Sequence, residues 1–502
     1  MKNYIKYFAI LALGFVACEP ELDNPIEDGG VYDSGDADFS NFVAVGNSLT
    51  AGFADNALYL QAQQSSYPNI LANQFSLLGG GEFTQPLVND NAGGLLLSGT
   101  QITDNRFVLA FDAAGNPGPA VYTGQTPTTD ISNVLSGPFN NMGVPGAKSF
   151  HLGLEGYGNV ANFPAAANPY FIRMASSPNA TVIGDAVSQN PTFFALWIGN
   201  NDVLSYATTG GIGVDQTGNF DPTTYGSNDI TDPNVFAQVY SGYVSALASN
   251  GAKGVLVNIP DVTSIPYFTT VPTNPIPLDA PTAAFANNAY TDYNNAIALY
   301  ASFGVISQEE AARRNISFQA GQNGAVILDE TLTPLVNPTD GSQIPPLRQS
   351  ASGDLITLPA ASVLGTLANP DDQTSVIGVA VPLQDQFVLI PEEQTSISNA
   401  SAAYNATIQG LAEANGLAYV DARAELNAVA NGGISFDGGT ITSVFATGGA
   451  FSLDGVHPTP RGYAFTANAI IDAINSTYNA TVPKVNIGSY STVNLSNSVG
   501  GN

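Results

Sequence analysis

The chain has almost none of the residues that build disulfides and zinc sites. Its 502 residues include one cysteine, Cys18, and two histidines, His151 and His457. A single cysteine excludes a disulfide within the chain, so we expect the core alone to hold the fold together. So few thiols and imidazoles also exclude a histidine-rich or thiolate zinc site, and we expect no bound metal.

Basic residues are also scarce. The chain has 12 Lys and Arg against 41 Asp and Glu, so its formal net charge is −29. Such a charge repels phosphate backbones, and we therefore expect no nucleic-acid partner. Only 11% of residues are charged, so the surface must rely on neutral polar side chains. That composition suits a secreted or surface protein, and contact with hydroxyl-rich ligands such as glycans.

The N-terminus has the pattern of an export signal. Lys2 and Lys6 precede an apolar run over residues 7–17, which is too short to span a bilayer permanently. The run ends at Cys18 and resembles a bacterial lipoprotein signal, in which the cysteine becomes the lipidated first residue. Phe15 stands where that pattern favours Leu. The alternative is an ordinary secretory signal followed by a chance cysteine. We predict a signal peptide over 1–17 and lipidation at Cys18.

An acidic segment follows the cysteine. Residues 18–38 are rich in Asp, Glu, Gly and Pro, a composition with too little apolar surface to order itself, so we predict a flexible tether. Acidic residues directly after the lipidated cysteine resemble the surface-export signals of Bacteroidetes lipoproteins. This resemblance implies a protein in the outer membrane or on the cell surface, with Cys18 as its lipid anchor and the membrane as a partner.

Four short apolar runs predict the buried strands of the folded body. They cover residues 42–45, 193–198, 255–259 and 417–420. None alternates with polar residues, which favours strands of a parallel sheet covered on both faces. Helical patterns lie between them, over 67–78, 232–251, 396–416 and 459–474. Gly251 and Gly416 are candidate caps at helix ends, and Thr459 before a proline is a candidate cap at a helix start. The alternation predicts an α/β fold with a parallel central sheet.

Two long stretches do not fit a minimal unit of strands and helices. Residues 84–135 are rich in Gly, Asn, Thr and Pro, and residues 305–392 hold β-prone pieces separated by Pro and Gly. We predict that both are insertions in one domain over 39–480, because strand patterns continue after them. Insertions of this size commonly shape a binding cleft. Residues 481–502 are predicted to be a C-terminal tail.

Two loops carry residues suited to acid–base and hydrogen-bond chemistry. In "FSLDGVHPTPRGYA", Asp454 precedes His457 by three residues, so its carboxylate can orient the imidazole of a general base. The alternative is a capping loop in which both side chains bond local backbone. In "IGNND", Asn201 follows a predicted strand, at the end of a parallel sheet where ligands bind. A simple Gly-Asn turn is the alternative there.

Two further loops offer a nucleophile and a close-approach glycine. Ser48 lies in "FVAVGNSLTAG", directly after the first predicted strand, and is a poor nucleophile unless a base takes its proton. Gly146 lies in "NNMGVPGAKS", where a glycine lets a backbone N–H approach a ligand. His151, five residues later, is the rival base. It lacks an acidic partner at the spacing that His457 has.

These four blocks, in this order, resemble the GDSL lipases and esterases, also called SGNH hydrolases. The resemblance implies Ser48, Gly146, Asn201 and His457 as the four named residues, with Asp454 as the acid beside the histidine. It also implies a three-layer α/β/α, flavodoxin-like SGNH-hydrolase fold with a parallel central sheet and long insertions.

The chain departs from the family pattern at two positions. Asn47 stands where the family name has Asp, and Asn200 stands where Gly is frequent. The side chain at position 47 is not the proton carrier in the family mechanism, so we expect altered tuning there and not loss of activity. Asn200 is expected to change slightly how the strand end approaches the substrate.

The resemblance implies a carboxylic ester hydrolase that acts through an acyl-serine intermediate on Ser48. The oxyanion would be held by the N–H groups of Ser48 and Gly146 and by the amide of Asn201. The reaction requires no metal and no organic cofactor. Two alternatives stay open: a carbohydrate O-acetylesterase, and a surface lipoprotein that binds a glycan or lipid without catalysis.

Overall fold

The computed structural model describes residues 32–111, 115 and 117–495. The predicted signal peptide, the predicted lipidation site Cys18 and most of the predicted tether lie outside this part of the chain. Among the described residues, no helix combines the length and the apolar character needed to cross a bilayer.

A parallel sheet of five strands forms the centre of the protein. Its strands are β1 (Phe42–Gly46), β2 (Asn141–Gly143), β3 (Phe193–Trp197), β4 (Lys253–Val257) and β5 (Ala418–Val420). They lie in the order β2-β1-β3-β4-β5, with all neighbours parallel. The four predicted strands are confirmed to within two residues at each end. The strand β2 was not predicted, because three residues of Asn-Met-Gly show no apolar run.

Seven helices pack on this sheet or carry loops at its edge. They are α1 (Ser48–Ala51), α2 (Tyr67–Phe75), α3 (Asn201–Thr208), α4 (Pro233–Leu247), α5 (Pro391–Asn415), α6 (Ala422–Ala430) and α7 (Pro460–Tyr478). Further helices cover Leu60–Gln64, Pro169–Ile172, Val182–Val187, Pro266–Thr269, Ala280–Ala289, Thr291–Ser302 and Gln308–Arg314.

The predicted helix caps hold at two of three positions. The side chain of Thr459 accepts a hydrogen bond from the N–H of Gly462 at the start of α7, and Gly416 ends α5 with a φ of 61°. The prediction for Gly251 is wrong. The helix α4 ends at Leu247 with Ala248 as its cap, and Gly251 lies in the turn beyond.

Successive side chains of the strands face two different cores. Val43 and Leu196 pack in the core that contains residues of α4 and α5, whereas Ala44 and Ala195 pack in the core of α2 and α7. Because helices cover both faces, every residue of β1 and β3 is buried. This explains the absence of polar alternation. The architecture is mixed α/β with a central parallel sheet, compatible with three α/β/α layers.

The two predicted insertions form small sheets outside the central one. In the first, Leu95–Leu97 pairs with Thr100–Gln101 and with Thr129–Asp130, and Phe107–Phe111 pairs with Pro117–Val121.

In the second region, the paired strands are Ile276–Leu278 with Gly321–Asn323, Val326–Leu328 with Leu347–Gln349, Leu335–Val336 with Gln343–Ile344, and Leu355–Ile356 with Val388–Leu389. The second inserted region therefore begins near Ile276 and not at 305, because the strand Ile276–Leu278 pairs with residues some 45 positions later in the chain. A hairpin, Ile434–Phe436 with Gly439–Ile441, precedes α7.

Both ends of the described chain pack against the domain. Asp36 donates its N–H to the carbonyl of Tyr478 over 2.8 Å, and Thr481 donates its N–H to the carbonyl of Asp33 over 2.8 Å. Val482 and Ile487 are buried in the core of α2 and α7. The described part of the predicted tether and the start of the predicted tail therefore belong to the folded body.

Candidate functional site

The predicted site residues meet at the carboxyl edge of the central sheet. Ser48 begins α1 directly after β1, and Asn201 begins α3 after β3. Gly146 follows β2 by three residues, and His457 lies in the loop before α7. The chain places β2 on one side of β1 and β3 on the other, so the strand order reverses between β1 and β3. Open α/β sheets bind ligands at such a point.

The structure brings Ser48, His457 and Asp454 into one hydrogen-bonded chain. Nε2 of His457 lies 2.9 Å from Oγ of Ser48, and Nδ1 of His457 lies 2.8 Å from Oδ2 of Asp454. With the proton on Nδ1 facing the carboxylate, Nε2 is left to accept the hydroxyl proton of Ser48. The ring of Phe53 packs against the imidazole, with centroids 4.7 Å apart.

Asp454 is held by an unusually full set of donors. Its Oδ1 accepts from Oγ of Ser452 at 3.1 Å and from the N–H groups of Val456 and His457, each at 2.8 Å. Burial raises the pKa of this carboxyl, but attraction to His457 and these hydrogen bonds outweigh it and lower the pKa to about 2. The carboxylate therefore stays ionised at neutral pH and can stabilise a charged imidazolium.

The loop that contains Asp55 and Asn56 fixes the position of the segment from Ser452 to His457 through hydrogen bonds, and this contact was not predicted from the sequence. Asn56 donates its N–H to Oδ2 of Asp454 at 2.9 Å. Asp55 accepts the N–H of Leu453 at 3.0 Å and donates its own N–H to Oγ of Ser452 at 2.9 Å. Asp55 and Asn56 adopt φ of 52° and 64°. The only signal in the sequence is an Asp-Asn pair, because these residues tolerate left-handed backbone.

Three hydrogen-bond donors lie at the edge where the oxyanion was predicted. Within the described chain, the backbone N–H groups of Ser48 and Gly146 have no acceptor. Gly146 adopts a φ of 81°, which favours glycine. The side-chain amide of Asn201 donates to the carbonyl of Ala147 at 2.9 Å, so one N–H fixes the amide and the second is left for a ligand.

A buried aspartate ties two of these loops together. Asp202, which is fully buried, accepts from the N–H of Ser149 at 2.8 Å and from its Oγ at 2.6 Å. The start of α3 is thus bonded to the loop that carries Gly146. The sequence showed Asp202 beside Asn201, but its partner 53 positions away could not be inferred.

The two departures from the family pattern contact each other. Oδ1 of Asn47 accepts the N–H of Leu49 at 3.0 Å and so caps α1. Its Nδ2 donates to Oδ1 of Asn200 at 3.2 Å, and both side chains are buried. An amide at position 47 supplies both the acceptor for the cap and the donor for Asn200.

His151, the rival base, is occupied elsewhere. Its Nδ1 accepts the N–H of Lys148 at 3.1 Å, and its ring stacks on Tyr157 with centroids 4.8 Å apart. Burial, with a contribution from Lys148, lowers the pKa of His151 to about 4. It has no hydrogen bond to Ser48, so the structure joins only His457 to the serine.

Glu330, Asp385 and Glu393 are the one group of acidic, histidine or cysteine side chains in the described part of the chain that is close enough to share a metal ion. Burial raises the pKa of Glu393 to about 9, and burial together with Glu330 raises the pKa of Asp385 to about 6. These carboxyls lie on the second inserted region and at the start of α5, apart from the serine site.

Comparison of this chain with protein-family models, with curated proteins and with solved structures found no match in any of the three.

Proposed function

We propose that the protein is a serine ester hydrolase of the GDSL/SGNH type, with Ser48 as its nucleophile. The observation that carries the proposal is the chain from Ser48 through His457 to Asp454, with distances of 2.9 and 2.8 Å. The strand order β2-β1-β3-β4-β5 supports the flavodoxin-like, three-layer form of that fold.

Acylation follows from the geometry of the three side chains. As Oγ of Ser48 attacks the ester carbonyl carbon, Nε2 of His457 takes the hydroxyl proton, and the carbonyl oxygen gains a negative charge. Asp454 holds Nδ1 and stabilises the imidazolium. When the tetrahedral intermediate collapses, the C–O bond to the alcohol breaks and His457 returns the proton to the leaving oxygen. An acyl ester on Ser48 remains.

The oxyanion is held by the N–H groups of Ser48 and Gly146 and by the free N–H of Asn201. A preorganised donor of this kind typically contributes about 3 kcal/mol to transition-state stabilisation. In the second half of the reaction, His457 deprotonates a water that attacks the acyl ester. The carboxylic acid leaves, and Oγ of Ser48 recovers its proton.

The decisive experiment is hydrolysis of p-nitrophenyl acetate by matched variants. Ser48→Ala and His457→Gln should each lower kcat by roughly three orders of magnitude or more, because the triad acts as a unit. His151→Gln is the matched control and should keep activity, provided that it folds. Full activity of Ser48→Ala would refute the proposal.

Active-site labelling separates catalysis from the alternative of a pure binding protein. Diisopropyl fluorophosphate reacts only with an activated serine, so it should label the wild type at Ser48 and leave His457→Gln unlabelled. An unlabelled wild type would favour a binding lipoprotein. Release of acetate from acetylated xylan, measured beside simple esters, tests the carbohydrate O-acetylesterase alternative.

We also propose that Cys18 carries the lipid that anchors the enzyme to the outer membrane or cell surface. The support is the sequence pattern around this residue. Cys18→Ala should release the protein from the membrane fraction without altering ester hydrolysis. If the variant stays with the membrane, the anchor lies elsewhere.

A further inference from the structure

An apolar pocket lies at the carboxyl ends of β3, β4 and β5. The empty space in it, counted together with adjoining open solvent, is about 730 Å³. Its walls come from the strand ends, from α6 and α7, and from the loop between the last hairpin and α7. Trp197, Val257 and Val420 line it at the strand ends, and Leu426, Val429 and Phe465 line it from the two helices. Nearly all of this lining is apolar, as is typical of small-molecule sites.

The pocket shares its walls with the segments that carry the proposed catalytic pair. Leu49, which follows Ser48, is one wall residue. Val456 and Pro458, which flank His457, are two others. Ser48 and His457 do not themselves line the pocket, but residues next to each of them do, so an apolar group bound there lies beside the segments that carry the reacting groups.

We infer that this pocket receives the acyl chain of the ester, so that the enzyme prefers unbranched acyl chains of medium length to acetate. The inference rests on the proposed ester hydrolysis at Ser48 and names its substrate class. Transfer of an apolar chain from water into such a pocket is favourable in proportion to the area removed from water.

The far end of the pocket limits the chain. Glu425, Phe465 and Ala469 line both the apolar pocket and a neighbouring groove of mixed polarity, which also contains the charged residues Asp437, Asp472 and Lys484. Burial, with repulsion from Asp472 and Asp421, raises the pKa of Glu425. A chain that passes this carboxyl enters a wider groove that also holds the charged groups of Asp437, Asp472 and Lys484, so the advantage should level off beyond medium length.

The first experiment measures kcat/KM for p-nitrophenyl acetate, butyrate, octanoate and palmitate. In the wild type, kcat/KM should rise from acetate to octanoate by up to about fourfold for each added methylene, and should not rise further to palmitate. Ala469→Phe fills the pocket and should flatten that rise while acetate hydrolysis stays within about twofold.

A neighbouring residue provides the matched control. Ala473 lies one turn further along α7 and, like Ala469, is half-buried against the same core, but it does not line the pocket. Ala473→Phe should keep the full rise from acetate to octanoate. If Ala469→Phe lowers the rate for every ester by the same factor, or leaves the rise intact, the pocket does not hold the acyl chain.

A second experiment is independent of turnover. Trp197 is the only tryptophan of the chain and lines the pocket, so a bromine atom bound there should quench its emission. In Ser48→Ala, 8-bromooctanoate should quench the fluorescence saturably, whereas 3-bromopropionate should not. Quenching by both acids equally, or by neither, would overturn the inference.

The two proposals fail in different ways. If only the pocket inference is wrong, hydrolysis of p-nitrophenyl acetate still depends on Ser48. If the proposed function is wrong, hydrolysis does not depend on Ser48, while 8-bromooctanoate could still quench Trp197 and report an apolar binding site. If Ala469→Phe fails to fold, as judged by circular dichroism, the quenching result decides.

Discussion

The low pKa of Asp454 makes the free energy of unfolding depend on pH. The substitution Asp454→Asn removes this one contribution, so that it can be measured separately. The carboxyl has a folded-state pKa of about 2 against an ordinary value of 3.8. Because the folded pKa is depressed, the carboxylate adds stability that is fully present above about pH 4. This stability is lost as the pH falls towards 2. Asp454→Asn removes the titrating group and with it this pH dependence.

The magnitude follows from the size of the shift. A displacement of nearly two pKa units corresponds to about 2 kcal/mol, since each unit is worth about 1.4 kcal/mol. The free energy of unfolding of the wild type, minus that of Asp454→Asn, should therefore fall by about 2 kcal/mol between pH 5 and pH 2. Titrating groups that do not interact with Asp454 contribute equally to both proteins and cancel in this difference.

The assay is urea unfolding at several pH values, followed by the emission of the single buried Trp197. The same pair of measurements in a His457→Gln background tests the cause. Attraction to His457 is the largest contribution that lowers the pKa, so the pH dependence of the difference should shrink there. A difference that is flat from pH 5 to 2 in the wild-type background would refute the reasoning.

Three further predictions concern residues outside the proposed triad. Asn47→Ala should lower the melting temperature and the rate of ester hydrolysis, because it removes a helix cap worth about 1 kcal/mol and the hydrogen-bond donor to Asn200. Asn47→Asp should retain the cap and most of the hydrolytic activity. Asn56→Gly should keep ester hydrolysis, while Asn56→Val should reduce it, because a β-branched residue resists the positive φ that directs the N–H of residue 56 at Asp454. Equal rates for the two variants would show that this hydrogen bond to Asp454 does not matter. Burial raises the pKa of Glu393 to about 9, so its stabilising effect as a neutral acid is lost as pH rises from about 4.5 towards 9. The melting temperature of Glu393→Gln relative to wild type should therefore climb over that range, and a constant offset would contradict the assigned cause.

Much of the fold was predictable because it depends on local patterns. Three of the five central strands are uninterrupted apolar runs, and β4 is apolar after its first two residues, since helices cover both faces of the sheet. Thr459 and Gly416 marked helix ends because hydrogen bonding at a cap and positive φ are properties of single residues. The strand β2 escaped prediction because pairing with β1, and not its own three residues, makes it a strand.

The proposed site was predictable for a different reason. The scarcity of histidine left two candidate bases, and only His457 has an aspartate three residues before it. Asn47 and Asn200 were noted as separate departures, but their contact was not foreseen. Asp55, Asn56 and Ser452 were missed altogether, because these side chains and N–H groups act on partners roughly 400 positions away or through backbone geometry.

The sequence by itself determined four of the five central strands, four of the long helices and the residues of the proposed site. Hydrophobic period, caps and residue scarcity are written into short stretches of chain. Tertiary structure alone decided how those residues are oriented, where the second inserted region begins, and that an apolar pocket borders the segments that carry Ser48 and His457. These features depend on contacts between residues far apart in the chain. No short stretch of sequence specifies such contacts, because each one forms only after the whole core has packed.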